Sequence, residues 1–377
     1  EFGRLGLESR TALHFATPLS QVALVPLLDI SARMEGPLLK RQRTYHPNAP
    51  WLAESLTGDP RTWLGRPLVS VEQLSPQGVR LVLDMADKCK ALVECGRGSC
   101  EALKGKILAA VFYEASTRTS CSFQAAMMKL GGNVMTVNSN TSSAKKGESL
   151  ADTIRCLECY CDILVVRHPM VESASDAARV ASVPIVNAGD GTGEHPTQAL
   201  LDLYTMRSEL GGSAPEDCTI SLVGDLKHGR TIHSLAVLLA RSQFDGLQLR
   251  YAAPPTLEIP ADVRSQIGGL GVKQKQVETL AEAVEGADVV YVTRIQRERF
   301  EAPEDYDAVK GSYVLTPEIM QGAKQKMAVM HPLPRLDEIS TEVDADPRAA
   351  YFRQMRNGMY VRMALLALLL GGELPDE

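Results

Sequence analysis

The chain reads Ile107-Leu-Ala-Ala-Val-Phe-Tyr113 and then Glu114-Ala-Ser-Thr-Arg-Thr119, an apolar run followed by a polar turn. The run has the composition of a buried β-strand, and helix-compatible sequence follows the turn at once. The first N–H groups of a helix lack intrahelical partners, and the positive end of its dipole favours an anion. Hydroxyl donors and the guanidinium of Arg118 add groups that bind phosphate oxygens. The stretch therefore predicts a phosphate site, although an ordinary Ser/Thr helix cap has the same local sequence.

Similar strand-like runs recur along the chain and alternate with helical segments. They lie at 107–113, 133–137, 162–166, 184–187, 218–223, 247–252, 288–292 and 327–330. Most are short and apolar, as expected for parallel strands that helices cover on both faces. A break near residues 198–215 separates two groups of strands. The pattern predicts an α/β fold with two doubly wound parallel sheets joined by helices.

The chain divides into an N-terminal extension and two predicted domains. Residues 1–65 are rich in proline and lack sustained periodicity, so we interpret them as an extension. We assign 66–205 to a first domain and 206–350 to a second. A late apolar run predicts a C-terminal helix, closed by glycine, over 355–372, which completes the first domain. The first residue is not methionine, so we interpret the chain as trimmed or as a piece of a longer polypeptide.

Composition and charge argue against several classes of protein. With 377 residues, 45% of them hydrophobic and 23% charged, the chain has the composition of a globular protein with two cores. Its net charge of -6 argues against a nucleic-acid partner, which normally requires a basic surface. The longest apolar stretch, 363–370, is far shorter than the roughly 20 residues that span a bilayer. We therefore expect neither a nucleic-acid nor a membrane partner.

The eight cysteines do not suggest the disulfide framework of a small secreted domain. Cys156, Cys159 and Cys161 lie close together, but no second Cys or His pair stands at metal-ligand spacing. We interpret them as buried reduced thiols, with a metal site as the alternative, and expect neither a metal nor a cofactor. Reduced thiols favour a cytoplasmic location, with a plastid as the alternative if a transit segment has been removed.

Polar clusters follow several predicted strands, where ligands of open α/β sheets bind. Arg167 comes directly after the strand 162–166. His195 and Gln198 stand three residues apart at the start of a helix, after a glycine-rich loop, so both could face one spot. Each also has a simpler interpretation, Arg167 as a surface salt-bridge residue and His195 as a capping or core residue.

The second half of the chain repeats this arrangement. The strand 218–223 leads to a helix start near Arg230, without the G-x-G-x-x-G pattern of a dinucleotide site. The strand 288–292 leads to a polar run, 293–299. His331-Pro-Leu-Pro334 contains two prolines, which predict an extended, rigid backbone whose carbonyls face a ligand.

A polar loop at 138–148 carries two adjacent lysines, and it is either a solvated surface loop or a lid that brings a lysine to a phosphate. No Ser-His-Asp arrangement, metal constellation or acid pair is evident in the sequence. The inventory of cations fits transfer of a group from a small phosphorylated donor to a small anionic acceptor. Rate would come from holding two anions together and stabilising charge that develops on an oxygen.

Seven motifs occur in the order typical of aspartate carbamoyltransferase catalytic chains, which the sequence resembles over about residues 68–372. They are Ser-Thr-Arg-Thr (116–119), Lys-Lys-Gly-Glu (145–148), Arg-His-Pro (167–169), His-Pro-Thr-Gln (195–198), Gly-Arg-Thr (229–231), Thr-Arg-Ile-Gln (293–296) and His-Pro-Leu-Pro (331–334). One departure is His228, where many bacterial members carry tyrosine.

The resemblance implies condensation of carbamoyl phosphate with L-aspartate to N-carbamoyl-L-aspartate and phosphate, the committed step of de novo pyrimidine biosynthesis, without a metal or a covalent intermediate. The implied contacts to carbamoyl phosphate are Ser116, Thr117, Arg118, Thr119, Ser142, Lys146, Arg167, His195, Gln198 and Leu333. The implied contacts to aspartate are Lys146, Arg230, Arg294, Gln296, Leu333 and Pro334. The implied catalytic residues are Arg118, Thr119, Lys146 and His195.

The resemblance also implies a homotrimer, because in this family Ser142 and Lys146 reach into the neighbouring subunit's site. Glu114 is expected to pair with Arg230 or Arg299 when the two domains close. Regulatory or multienzyme pyrimidine-pathway partners are further expectations. The long N-terminal extension suggests a eukaryotic source.

Two alternatives stand beside this interpretation. Ornithine carbamoyltransferases share the Ser-Thr-Arg-Thr turn, but their acceptor is cationic and their members carry a cysteine within the motif that reads His331-Pro-Leu-Pro334 here. A non-catalytic scaffold domain of a pyrimidine-pathway complex would be expected to have lost Lys146, Arg167 or His195, and all three are present.

Overall fold

The computed structural model describes residues 55–95, 98–138, 146–212 and 214–375. Within them the strands are β1 (Ile107–Phe112), β2 (Asn133–Asn138), β3 (Ile163–His168), β4 (Ile185–Asp190), β5 (Thr219–Val223), β6 (Gln248–Ala252), β7 (Lys273–Gln276), β8 (Val289–Val292) and β9 (Ala328–Met330). The α-helices are α1 (Pro76–Glu94), α2 (Thr117–Lys129), α3 (Leu150–Leu157), α4 (Ser173–Val180), α5 (Pro196–Glu209), α6 (Arg230–Arg241), α7 (Ala261–Gly269), α8 (Leu280–Val284), α9 (Pro303–Val309), α10 (Pro317–Met320) and α11 (Tyr351–Leu370).

The strands form two parallel sheets. One has the order β2-β1-β3-β4 and the other the order β7-β6-β5-β8-β9. In β1, Leu108 and Ala110 belong to one buried apolar cluster, whereas Ala109 and Val111 belong to another. Both faces of the strand are therefore covered, which is why the run is apolar without alternation. The predicted α/β fold with two doubly wound parallel sheets is confirmed.

The sequence analysis missed strand β7. Its residues, Lys-Gln-Lys-Gln, alternate between exposed and half-buried positions and include no apolar side chain. β7 lies at the edge of its sheet, where it pairs with β6. An edge strand held by backbone hydrogen bonds leaves no apolar run in the sequence, so hydrophobic periodicity could not detect it.

Two helices lie close to both sheets. α5 is buried along most of its length and packs against β4, α6 and β9. α11 packs against α1, α2 and α5, and it begins at Tyr351 rather than at 355 because its first turn also buries Tyr351 and Gln354. Gly371 follows it with a φ of 70°, as expected for a glycine that ends a helix. The domain boundaries drawn from the sequence stay a prediction.

The cysteine prediction was wrong in part. Cys161 is buried, and burial raises the pKa of its thiol to about 11. Cys156 and Cys159 are exposed free thiols. Cys156 lies on α3, which buries Thr153 and Ile154 instead, and Cys159 lies in the turn after that helix. Among the described residues, no group of three or more His, Cys, Asp or Glu side chains is placed to hold a metal ion.

None of the helices in the described part of the chain is both long and apolar enough to cross a membrane.

Candidate active site

A cavity of about 650 Å³ lies at the carboxyl ends of strands from both sheets. Each predicted site residue lines it except Lys146 and Ser142. Lys146 is exposed and lies outside the cavity of its own chain, and Ser142 lies outside the described residues. The structure thus brings together the polar clusters that follow β1, β3, β4, β5, β8 and β9.

The polar turn after β1 has the geometry of an anion site rather than of an ordinary helix cap. Ser116 precedes α2, but its side chain makes no cap hydrogen bond. Its hydroxyl instead lies 3.0 Å from Thr119 Oγ1. The first-turn N–H groups of α2 therefore receive no side-chain oxygen from Ser116, and Thr117, Arg118 and Thr119 of that turn line the cavity.

Arg118 connects this turn to the loop after β9. Its Nη2 donates to the carbonyl oxygen of Leu333 at 2.6 Å. Leu333 has a φ of 54°, and the peptide bond to Pro334 is cis. The predicted extended backbone was therefore wrong at Leu333. The left-handed conformation is held because the Leu333 N–H donates to His331 Nδ1 at 2.8 Å.

Arg167, at the end of β3, is a buried cation rather than a surface salt-bridge residue. Its Nη1 donates to the Ala188 carbonyl at 3.0 Å, and its Nη2 donates to Glu114 Oε1 at 2.9 Å. Its Nε is buried without a hydrogen-bond partner among the described residues. Burial and the nearby charge of Arg230 lower the pKa of Arg167 to about 10. The side chain thus keeps an unused donor beside the cavity.

Glu114 joins this arginine to the second sheet. It lies 3.4 Å from Arg230 Nη1 as well as 2.9 Å from Arg167 Nη2. Partial burial raises the pKa of Glu114, but the charges of Arg167 and Arg230 outweigh burial and hold the pKa below its ordinary value. Arg230 is therefore the partner that the structure supports. Arg299, the other partner expected for Glu114 on domain closure, is exposed and lines the same cavity, and its pairing stays a prediction.

Gly189 explains how two arginines fit side by side. A Cβ at this position would lie 2.8 Å from Arg167 Nη1 and 3.2 Å from Arg230 Cζ, and the residue has a φ of 113°. Both the space and the backbone conformation require glycine. This position accounts in part for the glycine-rich loop that precedes His195.

His195 and Gln198 lie at the start of α5, where the sequence placed them. Both are buried and line the cavity. Burial lowers the pKa of His195 well below its ordinary value, and the charges of Arg167, Arg230 and Arg362 lower it further. The imidazole is therefore neutral near pH 7, and a neutral ring can donate one hydrogen bond without adding charge.

The residues after β8 form the less buried wall of the cavity. Arg294 Nη1 donates to Glu298 Oε2 at 3.0 Å, and this hydrogen bond raises the pKa of Arg294. The Gln296 N–H lies 3.4 Å from Asp225 Oδ2. Arg294 and Gln296 face the same cavity as the turn after β1, from the opposite sheet.

The sequence analysis missed several cavity residues, of which Arg362 is the most buried cation. It projects from α11, and its Nη1 donates to Ser122 Oγ of α2 at 2.8 Å. Burial lowers its pKa to about 10. Its position within the apolar run at the end of α11 was the available signal, because an unpaired charge there is costly. The other residues that line the cavity without a role assigned from the sequence are Ala115, Ser122, Gly191, Leu201, His228, Gly229, Thr231, Thr293, Glu298, His331, Pro332 and Met355.

Two parallel sheets with a cation-lined cleft at their strand ends place the chain among the α/β proteins whose ligand sites lie at the carboxyl ends of their strands. The family models identify it further. The carbamoyl-phosphate-binding domain of aspartate/ornithine carbamoyltransferases matches residues 66–208, and the Asp/Orn-binding domain matches 216–369. The chain belongs to the aspartate/ornithine carbamoyltransferase family, which confirms the resemblance seen in the sequence.

Individual relatives agree with this assignment. The chain is 51% identical over 307 residues to the multifunctional protein pyr1-3 of Dictyostelium discoideum, a match that covers 81% of this chain and 14% of the relative. It is 48% identical to the aspartate carbamoyltransferase catalytic subunit of Thermococcus kodakarensis, over 82% of this chain and 98% of the relative. The chain therefore spans only about 14% of the multifunctional relatives pyr1-3 and CAD.

A solved structure is similar over the same region. Aspartate transcarbamoylase from Trypanosoma cruzi, in complex with carbamoyl phosphate, superposes with a TM-score of 0.77 at 45% sequence identity. The match covers 82% of this chain and 97% of that one.

Proposed function

We propose that this chain is an aspartate carbamoyltransferase, which condenses carbamoyl phosphate with L-aspartate to give N-carbamoyl-L-aspartate and phosphate in pyrimidine biosynthesis. One observation carries the proposal. The cavity has one cation-rich wall at the turn after β1 and a second, formed by Arg230 and Arg294, on the other sheet. A phosphorylated donor and a dicarboxylate acceptor can be held together there.

The donor-wall residues have separate roles in the carbamoyl transfer. The neutral aspartate amine attacks the carbonyl carbon of carbamoyl phosphate and negative charge grows on the carbonyl oxygen. The bond from that carbon to the phosphate oxygen then breaks, and the leaving phosphate takes up the proton that the amine loses. Thr119 and His195 donate hydrogen bonds to that oxygen, while Arg118 and Arg167 stabilise the leaving phosphate. Ser116 and Thr117 complete the phosphate contacts, and Gln198 contacts the carbamoyl end.

The acceptor is held by the opposite wall. Arg230 and Arg294 bind its two carboxylates, assisted by Gln296, and the carbonyls of Leu333 and Pro334 orient its amine. These cations favour aspartate over ornithine, whose ammonium groups they would repel. The motif from His331 to Pro334 contains no cysteine, which also argues against the ornithine enzyme.

A two-substrate assay tests this function. Purified protein given carbamoyl phosphate should release phosphate with aspartate and not with ornithine. Release with ornithine alone would establish the alternative acceptor. Release with neither, from folded protein, would favour the non-catalytic scaffold.

We further propose a homotrimer in which Ser142 and Lys146 complete the site of the neighbouring subunit. The exposure of Lys146, and its position outside the cavity of its own chain, support this arrangement. Light scattering should give the mass of three chains. Hybrid trimers of Lys146→Ala and His195→Ala chains should have activity that neither variant has alone. In some of their sites, His195 comes from one chain and Lys146 from its neighbour, so both residues are native.

Two controls make the mixing experiment decisive. Each variant alone should stay inactive after the same dissociation and reassembly, and mixing without dissociation should restore nothing. Hybrid trimers proved by mass spectrometry that have no activity would refute the shared site.

We propose a cytoplasmic location, with a plastid as the alternative, and association with other enzymes of the pyrimidine pathway. The likeness to multifunctional proteins supports such partners. Cell fractionation with an antibody against this chain tests the location, and recovery of other pathway enzymes with it tests the partners.

A further inference from the structure

A buried polar network centred on Asp202 of α5 lies behind the cleft. Asp202, Gln354 of α11 and Tyr291 of β8 are all 0% exposed. Asp202 Oδ1 accepts from Gln198 Nε2 at 2.8 Å and from Gln354 Nε2 at 2.6 Å. Its Oδ2 accepts from the Tyr291 hydroxyl at 2.7 Å. Three donors therefore satisfy one buried carboxylate, and of these three only Gln198 also lines the cavity.

The direction of the two amide hydrogen bonds to Asp202 Oδ1 is fixed from outside the network. The backbone N–H of His331 donates to Gln354 Oε1 at 2.9 Å. Because a backbone N–H can only donate, this oxygen must accept, and the Gln354 amide nitrogen must face Asp202. Asp202 Oδ1 is therefore an acceptor, and the neighbouring group of Gln198 must be its Nε2 donor. The amide oxygen of Gln198 is the atom left to meet a ligand in the cavity.

We propose that Asp202 is a positioning and specificity residue, which makes Gln198 present a hydrogen-bond acceptor and so selects a donor substrate that carries an amino group. The proposal rests on the proposed function, in which Gln198 contacts the carbamoyl end. A carbamoyl group offers N–H donors to the Gln198 oxygen, whereas an acetyl group offers only a methyl. A ligand that has no N–H for the Gln198 oxygen should bind less tightly, because this hydrogen-bond acceptor is then left unpaired.

The direction does not depend on whether Asp202 carries a proton. Burial raises the pKa of Asp202 to about 7, while hydrogen bonds from Tyr291, Gln354 and Gln198 and the charge of Arg362 oppose that rise. Oδ1 already accepts two N–H groups, so a proton would reside on Oδ2, facing the Tyr291 oxygen. Gln198 donates to Oδ1 in either state.

The test compares two phosphonates that differ in one group. Phosphonoacetamide carries an amide NH₂ where 2-oxopropylphosphonate carries a methyl, and neither can be hydrolysed at the phosphonate carbon. Isothermal titration of each into the wild-type protein should show the amide binding roughly tenfold more tightly. Asp202→Ala frees Gln198 to rotate and should bring this ratio close to one. The affinity for inorganic phosphate should change by no more than about threefold, because the phosphate contacts stay in place.

A conservative variant should restore the preference. In Asp202→Asn, the Asn oxygen can accept from Gln354 and Gln198 while its NH₂ faces the Tyr291 oxygen, so Gln198 keeps its direction. We expect the ratio in Asp202→Asn to lie within about threefold of the wild-type ratio. If Asp202→Ala does not fold, Asp202→Ser, which keeps a hydroxyl for Tyr291 and leaves room for water, should lower the ratio in the same way.

Thr205→Val is the matched control, because it also removes a buried hydrogen bond between α5 and α11. Asn357 Nδ2 donates to Thr205 Oγ1 at 3.1 Å, about two turns of helix beyond Gln198. This variant should lose stability without losing the amide preference.

The outcomes separate the inference from the function. An unchanged ratio in a folded Asp202→Ala or Asp202→Ser, or equal weakening of both phosphonates, would overturn the role of Asp202. A wild-type protein that binds both phosphonates equally would also overturn it, even if phosphate release with aspartate upholds the function. A folded wild-type protein that binds neither phosphonate and releases no phosphate would refute both the role of Asp202 and the proposed function.

Discussion

The two walls of the cleft differ in how far the fold fixes them before any ligand arrives. On the wall of the first sheet, Arg167 is 8% exposed and His195 is 3% exposed, and both are held by buried neighbours. On the wall of the second sheet, the Arg294 side chain is 26% exposed, and its partner Glu298 is more exposed still, at 53%. Arg167 and His195 of the donor wall are thus built into the core, whereas Arg294 of the acceptor wall is held by an ion pair near the surface. The contrast is one between these side chains, because Arg118 on the donor wall is exposed and the Arg230 side chain on the acceptor wall is only 13% exposed.

This difference changes what a ligand must do to bind. Arg167 donates to the Ala188 carbonyl and to Glu114, so its guanidinium is already fixed at the cavity wall when an anion binds. Arg294 already bonds to Glu298, so a carboxylate must displace or share that pair. We therefore expect substitutions on the donor wall to cost more activity than those on the acceptor wall.

The largest effect is expected from Arg167→Ala. Loss of a preorganised cation that faces the leaving phosphate should lower kcat/KM for carbamoyl phosphate by about 10²- to 10³-fold. Steady-state kinetics with aspartate at saturation measures it. Arg179→Ala, which removes an arginine paired on the surface with Asp176, is the control and should change nothing. A drop of less than tenfold for Arg167→Ala would contradict the preorganised donor wall.

A smaller effect is expected from Arg294→Ala. Removing one charge-assisted contact to aspartate should raise its KM by about 10- to 100-fold. The affinity for inorganic phosphate, measured by titration, should stay the same because the donor wall is intact. The neighbouring Arg297, an exposed residue that packs over the Tyr306 ring, supplies the control variant Arg297→Ala. Equal losses of phosphate and aspartate affinity would show that the two walls are not independent.

The same contrast between core and surface decided what the sequence could predict. The phosphate turn was predictable because Ser116, Thr117, Arg118 and Thr119 are contiguous, and the apolar strand before them fixes where they lie. The buried strands were predictable for the same reason. Long-range partners were not, because no local pattern shows that Arg362 reaches α2 from the C-terminal helix or that Gln354 holds the backbone of His331.

Two errors of the sequence-based prediction have tertiary causes. The sequence Lys-Gln-Lys-Gln of β7 has no apolar residue, and its strand conformation comes from pairing with β6. Leu333 was expected to be extended, since the residue before a proline usually is. Its hydrogen bond to His331 and its contact with Arg118 hold it at a positive φ instead. Tertiary contacts override local preference at both places.

The smallest predicted effect concerns the charge of His195. Because burial and three arginines lower the pKa of this imidazole well below its ordinary value, it should stay neutral from pH 8 to below 6. The unfolded chain protonates near pH 6.5, so the folded state binds fewer protons below that pH, and stability should fall there by up to about 1.4 kcal/mol per pH unit from this residue. Above pH 6.5, both states are neutral and the contribution vanishes.

Two measurements check the charge of His195. In NMR spectra of ¹³C-histidine-labelled protein, the signal that disappears in His195→Gln should not shift between pH 8 and 6. The loss of unfolding free energy between pH 7 and 5.5 should be smaller in His195→Gln than in wild type. Asp202 and Glu194, whose pKa values burial raises, contribute with the opposite sign, but they are present in both proteins and cancel in the comparison. A His195 signal that titrates near pH 6.5 would mean that water reaches this imidazole. Burial would then not distinguish the donor wall from the acceptor wall, and the contrast drawn above would be wrong.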